Sequence, residues 1–583
     1  MAWRRQAPGP ATLALLVSAA ACGNTLVDHN APPTLLGVTE CEAGFQTCGG
    51  GCFAPSTLIC DPESCEVCAV PNDAVGECTA AAACSFTCVN GTHRCEQVPG
   101  LPLCVAESAT SCGNACEVCA GPTAGPGQGV CLPGPSPGTG HCGVDCEIGH
   151  ELCGTSCVAE SAESCGESCE DCRPSTPAQA TAECTSAHTC AFVCNPGLLR
   201  CGDGCCAVSA LALGAEHACA VTTAGGLLCW GANGLGQLGD GTTSDRDTPT
   251  EIYPSGSEVT GVATGFAHTC AVVGGAVHCW GSNATLQLGP NATGSESPAP
   301  VAVGLSSVVT IAAGGYLNSG GAPTAEGHTC AVTTNGEVRC WGAGNAGQLG
   351  FGDTTSSATP RPVAGVTAST VTSGGVLAAG ARHTCVVTAA GGLACWGDRT
   401  SGQVGDGAVS PTPAVSPATV LTTASFVAAG VAHGCAIDTS QGDPVVLCWG
   451  SNAEGEIGAG ATTPVPAPTA PEIGGGIASL RPTRLAAGRA HSCMLRLGDI
   501  GGLKCMGAND VGQRGTPASI DPGGVSAAPI PVADLAVDVA AGGDSTCARL
   551  TSGAVYCWGD NRRGQLGDGS TTSRPDPLPV SGR

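Results

Sequence analysis

From residue 207 to the C-terminus one pattern returns seven times: a short apolar strand ending in Gly, then His-x-Cys, then Cys-Trp-Gly, then Gly-Gln-Leu-Gly. The second cysteine of each copy falls at Cys229, Cys279, Cys340, Cys395, Cys448, Cys505 and Cys557, a period of about 50–60 residues. A repeat of that length, built of short apolar strands and Gly-rich turns, reads as a β-propeller rather than a helical array. The expected fold class is all-β: a seven-bladed β-propeller preceded by an irregular, disulfide-rich repeat region.

Charge and cysteine content narrow what such a chain can do. The 583 residues carry a formal net charge of −26, a surface that repels nucleic acid and anionic lipid, so no nucleic-acid partner is expected. The 43 cysteines point to an oxidising compartment. The N-terminus agrees with export: Trp3-Arg4-Arg5 is a basic start, Thr12 to Ala20 an apolar run, and Ala19-Ala20-Ala21-Cys22 a small-residue cleavage site. These residues resemble a bacterial lipoprotein signal, with Ala19 where such signals carry Leu; ordinary secretory cleavage leaving a free Cys22 thiol is the alternative. Setting Cys22 aside leaves an even number of cysteines, which favours lipidation of Cys22 over a lone thiol. The expected domains are a signal peptide at 1–21, a lipid-anchored tether at 22–40, Cys-rich repeats at 41–206 and the propeller at 207–583. The expected location is the bacterial outer membrane or cell surface, with the lipid as the sole membrane contact.

The region from Cys41 to Cys206 is a coarser array whose blocks begin at Cys48, Cys95, Cys153 and Cys201. Gly, Pro, Ser, Ala and Glu fill the gaps, too little apolar area to fold without cross-links. Cys169-x2-Cys172 followed by Cys190-x3-Cys194 loosely has the spacing of a four-thiolate zinc site. Export and surplus cysteines argue for disulfides there, so neither metal nor cofactor is expected, and the connectivity stays open.

Within a blade the spacing fixes a register. If Gly274-Gly275 is a two-residue turn, Val273 faces Ala276, Val272 faces Val277, and Cys270 lands opposite Cys279. Cross-strand Cβ atoms then sit close enough for a bridge. The same logic pairs Cys219 with Cys229, Cys330 with Cys340, Cys385 with Cys395, Cys435 with Cys448, Cys493 with Cys505, and Cys547 with Cys557.

The stretch Trp230-Gly231-Ala232-Asn233-Gly234-Leu235-Gly236-Gln237-Leu238-Gly239, echoed from Trp558 to Gly567, resembles the regulator of chromosome condensation repeat. That family forms seven-bladed propellers with a His near the start of one strand. Departures are Met506 for Trp, Ser545 for His, Arg514 for Leu, and the added cysteine pairs. The resemblance implies a ring in which the last strand, around Leu578-Pro579-Val580, completes the first blade.

Six histidines recur beside cysteine: His217, His268, His328, His383, His433 and His491. Active sites are built once whereas packing positions repeat, so these and the six Trp of Cys-Trp-Gly read as structural. No catalytic residue is expected. Two breaks in the repeat draw a functional reading instead. The third copy stretches Gly-x-x-His from Gly314 to His328, inserting Tyr316, Leu317 and Asn318 on one face. Residues 207–480 hold 5 basic and 17 acidic side chains, residues 481–583 hold 11 and 9. Arg489, Arg562 and Arg563 therefore suit an anionic partner at the late blades. The expectation is a monomeric, non-enzymatic binding scaffold for an unknown protein. The alternatives are guanyl-nucleotide exchange, by family resemblance, and inhibition of a secreted enzyme.

Overall fold

In a computed structural model, the described residues are 189–318, 324–370, 375–440, 442–458, 462–471, 482–496, 502–517, 525–527 and 535–581. Short strands and a few single positions are described before residue 189, and the leader, Cys22 and the tether lie outside the described residues. The chain divides into two compact units, Met1–Ala159 and Glu160–Arg583. The first holds two-stranded hairpins such as Ala74–Cys78 with Cys84–Cys88. The described residues form no helix.

The second unit contains seven four-stranded antiparallel sheets, each made of strands consecutive in sequence. The first blade is Val208–Leu213, His217–Thr222, Leu227–Gly231 and Arg246–Tyr253; the seventh is Ala536–Gly542, Ser545–Leu550, Val555–Gly559 and Arg574–Pro579. The second blade has the expected register, with Val273 opposite Ala276, Val272 opposite Val277 and Cys270 opposite Cys279. In all seven blades the two middle strands, rich in Val, Ala and Cys, are buried on both faces and form the core. The outer strands are half exposed and punctuated by proline (Pro298, Pro362, Pro413, Pro466, Pro575), which lacks the N–H an invading strand needs.

The innermost strands surround a central channel of about 320 Å³, lined by one alanine from each blade: Ala212, Ala263, Ala312, Ala378, Ala428, Ala486 and Ala540. Two faces follow from the topology. The Gly-x-x-His turns and the long loops after Cys-Trp-Gly lie on one, here the loop face. The tips between the middle strands lie on the other, the hairpin face.

Ring closure corrects one sequence expectation. Arg574–Pro579 pairs with Val555–Gly559 inside the seventh blade and does not complete the first. The first copy already supplies four strands from Val208 onward, so it has no vacancy to fill. Besides the joint that every pair of neighbouring blades shares, the chain that precedes the first blade helps to close the ring. Val555 N donates to Gly197 O and Val208 N to Gly553 O, both 2.8–2.9 Å. Leu198 packs with Leu550, Ala554 and Tyr556, and Leu199 with Val208, Trp230 and Val580. Disulfides Cys194–Cys205 and Cys201–Cys206 hold this segment in shape. It is a clasp on the hairpin face, across the seam between the last blade and the first.

A chain begun at Ala207 therefore loses two buried leucines from that seam, roughly 3–5 kcal/mol by area. Its urea midpoint should fall clearly below that of a chain begun at Glu160. Equal midpoints would show that the seam holds without the clasp.

Candidate functional site

The residues that first suggest chemistry are spent on joining blades. Trp280 Nε1 and Thr269 Oγ1 of the second blade both donate to the main-chain oxygen of Gln237 in the first, at 3.0 and 2.7 Å. With its proton committed to that carbonyl, the threonine oxygen accepts from His217 Nε2 at 2.9 Å. That assigns the proton of the His217 ring to Nε2. The same relay runs from His268 to Thr329 and Gln287, from His328 to Thr384 and Gln348, and from His491 to Thr546 and Gln513. Trp230 Nε1 donates to Gln565 O at 2.9 Å and so ties the first blade to the seventh.

All six histidines are buried. Burial holds them neutral by penalising the imidazolium: His217 and His383 are lowered to about 4, His268, His328 and His491 to about 3, and His433 is lowered as well.

Where the repeat departs, the joint changes with it. Gly434 stands where five other blades carry Thr or Ser, and neither ring nitrogen of His383 meets a side-chain hydroxyl there. Ser545 replaces His in the seventh blade, turning its hydroxyl to Asp560 O at 2.8 Å, and its neighbour in the ring has Ala218 in place of Thr. Met506 replaces Trp at the joint where Glu456 replaces Gln. Only the joint of Ser545 with Ala218 lacks both partners; at the Gly434 joint His383 is kept with no hydroxyl to bond.

The cysteines of each blade meet across the two middle strands. Cys219–Cys229, Cys270–Cys279, Cys330–Cys340, Cys385–Cys395, Cys435–Cys448, Cys493–Cys505 and Cys547–Cys557 are disulfides, each with Cα atoms 4.1 Å apart. In the Cys-rich region Cys172 bonds Cys190, which splits the candidate four-thiolate set. Among the described residues no group of three or more His, Cys, Asp or Glu is placed to hold a metal ion.

The largest departure from the repeat lies on the loop face. Its loops are self-supporting: Asn233 Oδ1 accepts from Leu238 N and Gln237 Oε1 from Leu235 N, and the same pair of bonds recurs in the second and seventh blades. From this platform the third blade sends up an extended hairpin, Val308–Asn318 with Thr324–Thr333, in which Tyr316 faces Glu326. Tyr316 donates its hydroxyl to Glu326 Oε2 at 2.8 Å, Asn345 donates to the same oxygen, and the Arg382 guanidinium lies 4.9 Å from the Tyr316 ring centroid. The second blade fastens the hairpin's base: Gln287 Nε2 donates to Ala325 O, and Thr285 Oγ1 bonds both N and O of Gly327. Leu317 and Asn318 end the first strand of the hairpin, and their side chains lie outside the described residues.

Arg489, Arg562 and Arg563 share the loop face with the hairpin, but each is ion-paired. Arg489 meets Asp544 at 2.9 Å, Arg562 meets Asp560 at 2.9 Å, and Arg563 spans Asp245 and Glu216 at 3.1 and 3.7 Å. Arg246, Arg382, Arg399 and Arg574 are also paired with aspartates. Glu296, Asp353, Glu454 and Asp510 on this face form no ion pair among the described residues. The late arginines therefore stabilise loops, and the charge left over on the loop face is negative.

One residue escaped the sequence reading. Six blades place Gly at the first position of Gly-Gln-Leu-Gly or its variant, at Gly236, Gly347, Gly402, Gly455, Gly512 and Gly564, all with positive φ. A side chain there would strike the next blade in most cases; a Cβ on Gly236 would lie 2.5 Å from Pro298 Cα, and one on Gly512 2.5 Å from Pro575 Cα. The second blade has Leu286 instead, at φ 71°, a backbone state that costs an L-residue on the order of 1–2 kcal/mol. Its side chain is 43% exposed. In the next blade's outer strand Ala358 takes the place that Pro298 has in the second, by the matching registers Gly281 with Ser297 and Gly342 with Ser357. The signal was legible as Leu-Gln-Leu-Gly among six glycine copies.

Comparison with known proteins places this architecture. Profiles of the regulator of chromosome condensation (RCC1) repeat match residues 224–272, 335–387 and 552–583, and residues 208–237, 377–403 and 536–565. The chain is similar to the Ultraviolet-B receptor UVR8 of Arabidopsis thaliana, 29% identical over 377 residues, covering 63% of this chain and 80% of the receptor. It is also similar to the probable E3 ubiquitin-protein ligase HERC6 of Homo sapiens, 30% identical over 267 residues, 44% of this chain but only 25% of the ligase. Among solved structures, Prp20p of Saccharomyces cerevisiae, described together with its binding to Gsp1p and histones, superposes with a TM-score of 0.51. The two are 22% identical, over 64% of this chain and 87% of that one, a likeness of fold.

Proposed function

We propose, from a seven-bladed propeller built of regulator of chromosome condensation repeats, that this chain is a non-enzymatic scaffold that binds a protein partner through its loop face. One observation carries the reading. The segment just before the first blade, Gly197–Val208, is spent as a clasp on the hairpin face, whereas the loop face carries the one raised hairpin among the described blades. The conspicuous residues of the repeat are consumed in joints between blades, which is support for binding rather than chemistry. Proteins with this repeat include a light receptor and ligases far longer than the matched segment, so the repeat accompanies unrelated activities.

The working location is outside the cytoplasm. Buried cysteine pairs in every blade are the form such a protein takes where thiols oxidise, and Cys22 would hold it to a bacterial envelope through lipid. The partner's charge differs from what composition suggested. Because Arg489, Arg562 and Arg563 are neutralised by their own carboxylates, the face suits a cationic partner. Exchange on a cytoplasmic GTPase and inhibition of a secreted enzyme have no observation of their own here.

Shortening the hairpin tests the reading. Replacing residues 315–327 by the two residues found between Gly and His in the other blades removes Tyr316 while keeping Gly314 and His328. Recovery of cross-linked envelope partners should fall at least tenfold, with the disulfide count unchanged. Undiminished recovery would remove the loop face from the account.

A further inference from the structure

Leu286 combines three properties rarely found together: a left-handed backbone, an exposed apolar side chain, and a glycine at the equivalent place in all six other blades. Backbone strain of this kind is retained where something other than folding requires it. The loop that carries Leu286 is also unusually well held. Thr285 and Gln287, its immediate neighbours, bond Gly327 and Ala325 at the base of the raised hairpin, so the side chain projects from a rigid mount. Exposed, pre-organised apolar groups of this type are what interfaces use as anchors, because little side-chain freedom is left to lose on binding. The loop of Leu286 ends at Glu296, and the corresponding loop of the next blade carries Asp353; neither is ion-paired among the described residues, and only Arg361 acts on Asp353 from a distance.

We propose that Leu286 is the apolar anchor of a docking site for a cationic polypeptide segment, on the loop face where the second and third blades meet. This rests on the reading of the loop face as the binding surface and names where and by what chemistry it binds. The partner segment places an aliphatic side chain against Leu286, and its Lys or Arg side chains meet the carboxylates that leave the loop face net negative. Ala358 is the smallest side chain among the residues that the registers place there in the first, second, third, fourth, fifth and seventh blades (Asp247, Pro298, Ala358, Val415, Pro466 and Pro575).

The variant Leu286→Gly separates this role from a structural one, because it restores the residue the backbone prefers. The probe is a fluorescein-labelled peptide of alternating lysine and leucine, titrated by anisotropy against the full chain. An all-lysine peptide and a glutamate–leucine peptide serve as controls. Leu286→Gly should melt at the same temperature as the parent or higher, yet bind the lysine–leucine peptide about tenfold more weakly. Both proteins should bind the all-lysine peptide alike. Leu286→Asn, which also tolerates the left-handed region, should behave as the glycine variant. Glu296→Gln with Asp353→Asn should weaken the same peptide and flatten its salt dependence, while Glu258→Gln on the hairpin face should not. Unchanged affinity in Leu286→Gly, or tighter binding of the glutamate–leucine peptide, overturns the proposal. If the shortened hairpin abolishes partner recovery while Leu286→Gly leaves peptide affinity intact, the loop face stands and only this anchor falls.

Discussion

Lowering the pH from 7 to 5 should strip the propeller of on the order of 10 kcal/mol of stability, well before its carboxylates begin to protonate. The sign follows from the six buried imidazoles. Each is neutral in the folded chain, with burial lowering five of them to about 3 or 4, whereas an unfolded histidine titrates near 6.5. Between those limits the unfolded chain binds protons that the folded chain does not, so stability falls as pH falls. At pH 5 each such group has cost about 2 kcal/mol relative to neutrality. His433 moves in the same direction. The loss starts as the pH drops below about 6.5 and flattens near the folded values. Asp538, raised by burial in spite of Arg549 and Arg484, works the opposite way, but it is one group against six. Asp240, held low by bonds from Thr242 and Arg246 that outweigh its burial, adds to the loss only at lower pH. Urea midpoints measured at half-unit steps from pH 7.5 to 4, with disulfides intact, test this. His268→Gln should lessen the slope by about a sixth, since it removes one of six equivalent groups. A midpoint flat between pH 7 and 5 would mean that the histidines are not sealed from protons.

The parts of this fold that were legible in the sequence are those a local constraint determines. Gly274-Gly275 leaves only one compact way to fold the second blade's middle strands, and that alone seats Cys270 against Cys279. Recurrence of His217 and its counterparts in six of the seven blades marks them as structural positions; that they join one blade to the next is visible only in the fold. Ring closure was not legible, because either terminus offers a strand and nothing local ranks the pairings. Part of the decision lies with Leu198 and Leu199, two apolar residues inside a Cys-rich tract that are buried against the seventh blade and the first. The ion pairs of the late arginines were not legible for a similar reason. Arg563 pairs with Asp245, more than 300 positions away, and charge counted along the chain does not see a neighbour across the seam. Leu286 stands openly in the sequence, yet only its φ and the glycine at the equivalent place in the six other blades give the substitution meaning.

Breaking the seven blade disulfides should prevent refolding altogether, a larger effect than acid. Each closes a loop with a sequence separation of 9 to 13 residues. By the chain-entropy relation each is worth about 2–3 kcal/mol, so the set approaches 15 or more, which matches or exceeds the whole stability of an ordinary domain at about 5–15 kcal/mol. Access governs the kinetics: these cysteines are 0–2% exposed, buried between the middle strands and the neighbouring blades. A thiolate must approach along the S–S axis, so a reductant can act only on molecules that have already opened. Two outcomes follow together. Dithiothreitol without denaturant should leave the 14 propeller cysteines unreactive for hours, because reduction waits on unfolding. The same reductant with urea should expose them all, and dilution of urea under reducing conditions should yield no cooperative melt and no protection from protease. Refolding to the native melt with all thiols free would mean that apolar packing suffices and that the disulfides are dispensable. Restoring oxidant after dilution should recover the native melt in step with the loss of free thiol, since the antiparallel register that packs Val272 against Val277 is the same one that brings the sulfurs together.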